Sequence, residues 1–158
     1  MIVVSDTGPL NYLAVIGNLD ALATLYAQVI IPSAVLSELS RASNPDAVKK
    51  LVQSKPAWLR IEQVAQVDAD LSDLGDGEQQ AITLARSLRA DLLLCDDKDA
   101  RDAALRKQLH VIGTLGVLQQ ASQAGLLDLR DALTKLRTTN FRISRSLLDR
   151  ILQQADPS

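Results

Sequence analysis

Apolar positions along this chain follow two alternating patterns, a short continuous run and a longer segment in which they recur every three or four residues. The chain opens with such a run, Ile2 to Val4, and Leu10 to Ala27 then shows the longer spacing, broken at Gly17 and Asn18. Short β-branched runs are typical of buried strands, and the longer spacing is typical of helices. The patterns predict strands at 2–4, 29–31, 59–64, 92–95 and 111–113, and helices at 10–27, 32–39, 46–53, 76–88, 98–109, 115–124, 129–138 and 144–154.

This alternation of strands and helices predicts the fold class. It favours a three-layer α/β/α fold with a central, mostly parallel sheet of four to five strands, because parallel strands need a crossover helix between them. Ligands bind such sheets beyond the carboxyl ends of the strands. The residues that follow each strand are therefore the first place to look for chemistry.

Acids stand at two of these strand ends. Asp6 follows the first strand after Ser5, and the adjacent Asp96 and Asp97 follow the strand LLLC. Asp6 has a purely structural alternative, because an Asp after a strand can cap the next helix, and one acid of the later pair can do the same. Two neighbouring carboxylates nevertheless repel each other unless a cation lies between them.

Glu78 lies on the apolar stripe of its predicted helix, three residues before Ala81 and four before Ile82. Asp76 and Gln79 have the spacing of a capping box, which gives Asp76 a structural role and leaves Glu78 without one. The structural alternative for Glu78 is a first-turn acid that the helix dipole favours.

Glu38 repeats this arrangement in the segment PSAVLSEL. It lies three residues after Val35 and beside Leu39, where a charge is costly unless it is paired. A surface ion pair with Arg41 or Arg60 is the structural alternative.

A cluster of these carboxylates predicts a site for Mg²⁺ or Mn²⁺, since hard cations of this kind take oxygen ligands. His110 is the single histidine and Cys95, within the LLLC strand, the single cysteine, which argues against a His/Cys zinc site. Divalent ions held by carboxylates activate water and stabilise the charge that develops on a phosphodiester.

Composition and charge narrow the classes of protein. The 158 residues suit one domain, and a formal charge of −2 excludes the overall basic character of many nucleic-acid-binding proteins. Basic residues concentrate near the end of the chain, at Arg130, Lys135, Arg137, Arg142 and Arg145. We expect a soluble cytoplasmic protein, because the sequence has one cysteine, no apolar run of membrane-spanning length and no signal peptide.

Five segments in this order resemble a PIN domain, the ribonuclease fold of VapC-type toxins: VVSDTGPL, IIPSAVLSEL, LGDGEQQAITLA, ADLLLCDDKDAR and VIGTLGVLQQASQAGLL. The resemblance is nearest to the toxin-like group with a GTLGVL segment and a helical C-terminal extension. It implies a PIN-like nuclease domain at 1–128, with residues 129–158 as a helical extension of the same domain.

The resemblance implies a catalytic set of Asp6, Glu38, Glu78 and Asp97. Asp6 and Asp97 would ligate the metal, with Asp96 as the alternative to Asp97 or as a further ligand. Glu78 and Glu38 would complete the shell directly or through water. In this family an activated water attacks the RNA phosphodiester in line and leaves a 5′-phosphate. Thr7 matches a polar position beside the first acid, and Gly8 replaces the serine frequently found there.

Substrate and partners follow from the same resemblance. Lys98, Arg101 and the basic stretch at 130–145 are candidates for contact with RNA phosphates, which supply most of the affinity in such complexes; solvated helix faces are the structural alternative. Phe141 and Arg142 suit either stacking on a base or packing, and we favour packing. A homodimer and a small antitoxin protein are the implied partners, and no membrane association is expected.

Four alternatives remain open. A non-catalytic PIN-like scaffold would bind RNA or protein without cutting, and DNA remains possible as a substrate. An aspartyl-phosphate phosphotransferase with Asp6 as nucleophile fits less well, because the second acid of that class would fall at Gly8. A phosphate-receiver domain also fits less well, since its acidic pair would follow the first strand.

Overall fold

The computed structural model describes residues 1–155, without the side chain of Ala155; residues 156–158, the end of the predicted extension, lie outside the described residues. All neighbouring strands of its five-stranded sheet run parallel, in the order β3-β2-β1-β4-β5. The strands are β1 (Val3–Ser5), β2 (Val29–Pro32), β3 (Leu59–Glu62), β4 (Leu92–Leu94) and β5 (Val111–Ile112).

Helices connect successive strands and cover both faces of the sheet, as expected for a parallel sheet. Within residues 1–155 they are α1 (Thr7–Val15), α2 (Asp20–Tyr26), α3 (Ser33–Leu39), α4 (Asp46–Ser54), α5 (Asp76–Ser87), α6 (Lys98–Arg106), α7 (Thr114–Gln123), α8 (Leu129–Leu136) and α9 (Arg145–Ala155), with a short 3-10 turn at Ala69–Leu71. No helix in this part of the chain is long and apolar enough to cross a bilayer.

Successive residues of the strands enter opposite apolar clusters, because side chains alternate between the two faces of a sheet. Val3 and Leu94 belong to the larger cluster, which includes side chains of α1, α3, α7 and α8. Val4 and Leu93 belong to the smaller one, formed with α5 and α6. The predicted three-layer α/β/α architecture is thereby confirmed.

Side chains of the C-terminal helices belong to the larger apolar cluster. Leu133 and Leu136 of α8 and Leu148 and Ile151 of α9 are buried in it. Since α8 also contacts α7 and α9, the extension packs on the same layer as α1 and α7.

Several predicted boundaries are wrong by one to three residues. Helix α1 begins at Thr7 rather than Leu10, because Pro9 suits the first turn of a helix, where no backbone N–H is needed. Pro32 ends β2, in register with Glu62, instead of opening α3. Both changes concern residues at the carboxyl edge of the sheet, where the candidate site lies.

Candidate functional site

Asp6 lies at the carboxyl edge of the sheet, between β1 and α1. Its backbone N–H donates to the carbonyl of Leu94 at 2.9 Å, which ties the end of β1 to β4. The side chain is only 7% exposed; Oδ2 accepts a contact from the Cys95 thiol at 3.7 Å, and Oδ1 is buried with no hydrogen-bond partner among the described residues. Although Asp6 occupies the N-cap position of α1, its side chain makes no capping hydrogen bond, so the capping alternative does not explain it.

Burial and neighbouring charge both act on the Asp6 carboxyl group. The pKa of Asp6 is raised from 3.8 to about 6, with burial as the largest cause. The charges of Glu38 and Asp96 also raise it, whereas the Thr7 backbone and the Cys95 thiol lower it. Burial and the neighbouring carboxylates both favour the neutral carboxyl group, so a cation at this position would stabilise its ionised form.

Glu78 brings a second carboxylate to Asp6 from the first turn of α5. Burial, and then the charges of Asp6 and Asp97, raise its pKa above the usual range. Its Oε1 also accepts a hydrogen bond from the Gly75 N–H at 3.1 Å. Glu78 therefore has a capping role and a place in the acidic cluster at once.

The capping box predicted for α5 is wrong by one residue. Gly75, not Asp76, is the N-cap, and Asp76 is an exposed residue of the first turn. Glu78 takes the position predicted for Gln79, whose side chain donates instead to the Leu74 carbonyl at 2.6 Å. Gly75 lacks the side chain by which an N-cap is recognised in a sequence, which explains the error.

Cys95 belongs to the same cluster, although it is not among the residues predicted from the sequence. One ligand atom each from Asp6, Glu78 and Cys95 lie within 4.8 Å of one another. The thiol is buried, and burial together with the charge of Asp6 raises its pKa, so that the protonated sulfur is a donor to Asp6. The sequence offered only a weak signal, its position between a strand and two acids.

Glu38 contacts the site from the last turn of α3. Its carboxylate accepts a short hydrogen bond from the Thr7 hydroxyl and another from the Gly77 N–H at 3.2 Å. Arg60, one of its predicted ion-pair partners, pairs instead with Glu62. A Cβ on Gly77 would lie 2.7 Å from both Glu38 carboxylate oxygens, so the Glu38 carboxylate can occupy this position only while residue 77 is glycine.

Asp96 and Asp97 have different surroundings. Both oxygens of Asp96 accept hydrogen bonds from Thr114, one from its N–H and one from its hydroxyl, each at 2.7 Å. Asp97 caps α6 by accepting from the Ala100 N–H at 3.0 Å, and its carboxylate is close enough to Glu78 to raise that residue's pKa. Burial raises the pKa of Asp96, against the effects of Thr114 and Arg101.

A cleft of about 1140 Å³ opens from this acidic edge. Asp6, Asp96 and Asp97 line it, as do the predicted RNA-contacting residues Lys98 and Arg101. Lys98 is highly exposed and pairs with Asp102 at 3.6 Å, on the next turn of α6.

The C-terminal extension contributes the remaining cationic residues of the cleft. Arg142 lines it, and so does Arg150 of α9, which the sequence analysis did not single out. Phe141 packs edge-on against the Tyr12 ring, with centroids 5.0 Å apart and an interplanar angle of 86°. Packing is therefore the role of Phe141 in this structure, as predicted.

Comparison with known proteins shows the family to which this chain belongs. A family model described as a PIN domain, DUF3368, matches residues 2–157. A PilT N-terminus domain protein from the hyperthermophilic archaeon Sulfolobus solfataricus P2 has a similar structure, with a TM-score of 0.54 and 15% identity over 91% of this chain and 100% of that one, and supports the fold alone. No curated protein matches. The family model covers nearly the whole sequence, and the chain belongs to the PIN-domain family.

Proposed function

We propose that this PIN domain is an Mg²⁺- or Mn²⁺-dependent endoribonuclease. PIN domains are typically nucleases. The observation that carries the proposal is the Asp6 carboxylate, which is nearly inaccessible, lacks a partner for Oδ1 and lies beside Glu78. A buried oxygen without a donor is costly, and a cation would satisfy it.

The residues at this edge fit a divalent ion. Asp6 and Glu78 both have raised pKa values, and the charges of Asp6 and Asp97 contribute to the shift at Glu78. A doubly charged cation removes this repulsion, and carboxylate oxygens are the ligands that Mg²⁺ and Mn²⁺ prefer. The Cys95 thiol adds a softer atom within the same distance, which Mn²⁺ tolerates better than Mg²⁺.

The four predicted catalytic acids would then have distinct roles. Asp6, Glu78 and Asp97 would hold the ion. Glu38 would hold Thr7 in place beside Asp6 and would add a further negative charge to the pocket. Asp96 serves better as a support than as a ligand, since both of its oxygens hold Thr114. A metal bound here would supply an activated water and stabilise the charge that develops on the phosphodiester.

The biological setting that we propose is the toxin half of a toxin–antitoxin pair, acting as a homodimer. It rests on the resemblance of the five sequence segments to VapC-type proteins. The acidic pocket supports it physically, because a small antitoxin could neutralise the same carboxylates with a cationic side chain. Purification from the native host should recover a small protein partner, and recovery of the chain alone would contradict this setting.

A cleavage assay tests the nuclease itself. Purified protein is incubated with mixed cellular RNA and Mg²⁺ or Mn²⁺, beside an EDTA control, an Asp6→Asn variant and an Asp46→Asn variant. Asp46 is an exposed acid at the start of α4 and controls for the loss of one charge. We expect metal-dependent cleavage to 5′-phosphate ends by the wild-type and Asp46→Asn proteins only.

Two results would contradict the proposal. Equal cleavage by Asp6→Asn would show that the pocket is not the reaction centre. RNA binding without cleavage at any metal concentration would favour the non-catalytic scaffold.

A further inference from the structure

We propose that the C-terminal extension is the substrate-binding wall of the cleft, and that Arg142 and Arg150 bind phosphates of an unpaired RNA strand. The neighbouring phosphodiester of that strand would lie at Asp6. This inference rests on the proposed function, because it assumes that a nucleic acid reaches the acidic edge.

The charges of the cleft are divided between its walls. Its acids come from the ends of β1 and β4, whereas Arg142 precedes α9 and Arg150 lies on it. Lys98 is partly neutralised by Asp102, and Arg101 interacts with the charge of Asp96. Within residues 1–155, Arg142 and Arg150 have no such partner, so their charges are available to an anion.

The surface between these charges suits a nucleobase. Leu115, Leu147 and Ile151 contribute apolar atoms to the cleft lining, which we call its apolar floor. The side-chain amides of Gln119, Asn140 and Gln154 line the same cleft. The side-chain Oδ1 of Asn140 accepts a hydrogen bond from the Tyr12 hydroxyl at 2.8 Å, so the NH₂ group of the same side chain remains available to donate to a ligand. Amides beside an apolar floor can read the edge of an unpaired base, which a duplex would keep in its stack.

The extension holds these residues in a fixed position. Ile151 and Leu148 of α9 are 4% and 6% exposed, and Phe141 packs on Tyr12 of α1 directly before Arg142. RNA binding therefore requires little further ordering of the extension, and the entropic cost of binding is lower for that reason. The cleft volume of about 1140 Å³ exceeds that of common small-molecule pockets and suits more than one nucleotide.

The test measures binding separately from cleavage. The probe is a fluorescein-labelled single-stranded 12-residue oligouridylate, titrated by fluorescence anisotropy with Mg²⁺ in the non-cleaving Asp6→Asn background. Arg150→Gln and Arg142→Gln are compared with Arg145→Gln, which removes the same charge from an exposed residue at the start of α9 outside the cleft. Thermal melts confirm that all variants fold.

We expect Arg150→Gln and Arg142→Gln each to weaken binding about 3- to 10-fold and to lower the salt dependence by about 0.7 in the slope of log K against log salt. Arg145→Gln should change affinity less than about twofold, and an RNA duplex should bind more weakly than the single strand. Equal losses in Arg145→Gln and Arg150→Gln, or a duplex that binds as tightly, would overturn the proposal. No loss in either cleft variant would also overturn it, leaving an acidic protein segment as the ligand class that suits these charges.

The two proposals can fail independently. If the wild-type chain cleaves RNA and Arg150→Gln leaves KM unchanged, the substrate wall is wrong and the nuclease stands. If the wild-type chain never cleaves but binding depends on Arg142 and Arg150, the wall stands and the nuclease is wrong.

Discussion

At the scale of single residues, Asp6 explains why this sheet edge is unusual. An acid after a strand commonly caps the next helix, yet the Asp6 carboxylate makes no capping bond, and its Oδ1 has no hydrogen-bond partner among the described residues. The fold thus bears the cost of a buried, poorly satisfied carboxylate, which is typical of functional sites.

The raised pKa of the buried Asp6 carboxyl group predicts that the stability of the fold depends on pH. The Asp6 pKa is about 6 in the folded chain against an ordinary value of 3.8, so between these values the folded state keeps a proton that the unfolded state has released. Without divalent ions, the Asp6 contribution to the free energy of unfolding should therefore fall as pH rises from about 4 to about 7, by about 3 kcal/mol.

Urea unfolding in EDTA at several pH values measures this effect. Asp6→Asn cannot titrate, so its stability relative to wild type should rise by that amount across the same range, and added Mg²⁺ should restore wild-type stability above pH 6. A wild-type-to-variant difference that stays constant with pH would show that Asp6 is ionised normally.

At the scale of elements, the sequence predicted the order of helices and strands but not how their ends meet. The sequence pattern singles out four acids because each lies at a strand end or on an apolar stripe: Asp6, Glu38, Glu78 and Asp97. The pattern does not predict the hydrogen-bond partners of the acids, because these contacts join residues that are distant along the chain. Examples are the hydrogen bond of Thr7 to Glu38 and that of Thr114 to Asp96. No helical or strand period encodes such contacts.

Cys95 and Gly75 show two further limits of the sequence pattern. Cys95 was assigned to the predicted strand, whereas β4 ends at Leu94 and the Cys95 thiol contacts Asp6. Gly75 caps α5 without a side chain, so its role becomes visible only through the hydrogen bond from its N–H to Glu78.

The approach of α3 to α5 predicts the effect of Gly77→Ala. The new methyl group would displace the Glu38 carboxylate and break its bond to the residue 77 N–H. Alanine is favoured in a helix by about 1 kcal/mol, which offsets much of the lost hydrogen bond, so stability should change little. The cleavage rate should fall by about 10- to 100-fold, as when support to a metal site is lost.

Initial cleavage rates and thermal melts of the same preparations separate these effects. Ser87→Ala, at the opposite end of α5, is the control and should leave the rate within about twofold of wild type. A Gly77→Ala protein with full activity would remove Glu38 from the proposed site.

At the scale of the whole molecule, alternating strands and helices were sufficient to predict the layers. They did not predict that the C-terminal helices would form a wall of the cleft, because that depends on which face of α9 packs on the core. Ile151 is buried and Arg150 is exposed, so one helix serves both the core and the cleft.

A core substitution in the extension tests whether it folds with the rest of the chain. Leu136 is fully buried in the larger apolar cluster, and Leu136→Ala should lower the free energy of unfolding by about 2–5 kcal/mol in a single transition. Leu105, which is 56% exposed, is the control, and Leu105→Ala should cost less than about 0.5 kcal/mol. A small loss at Leu136, or a separate transition, would show that the extension is an independent unit.

The central claim is that the buried acids at the sheet edge bind a divalent cation, and calorimetric titration with Mn²⁺ tests it most directly. The wild-type and Asp46→Asn proteins should bind Mn²⁺ with equal affinity. The Asp6→Asn protein should bind Mn²⁺ about tenfold more weakly, or weaker still. Equal binding by Asp6→Asn, or none by the wild-type chain, would contradict the metal site and the ribonuclease that depends on it.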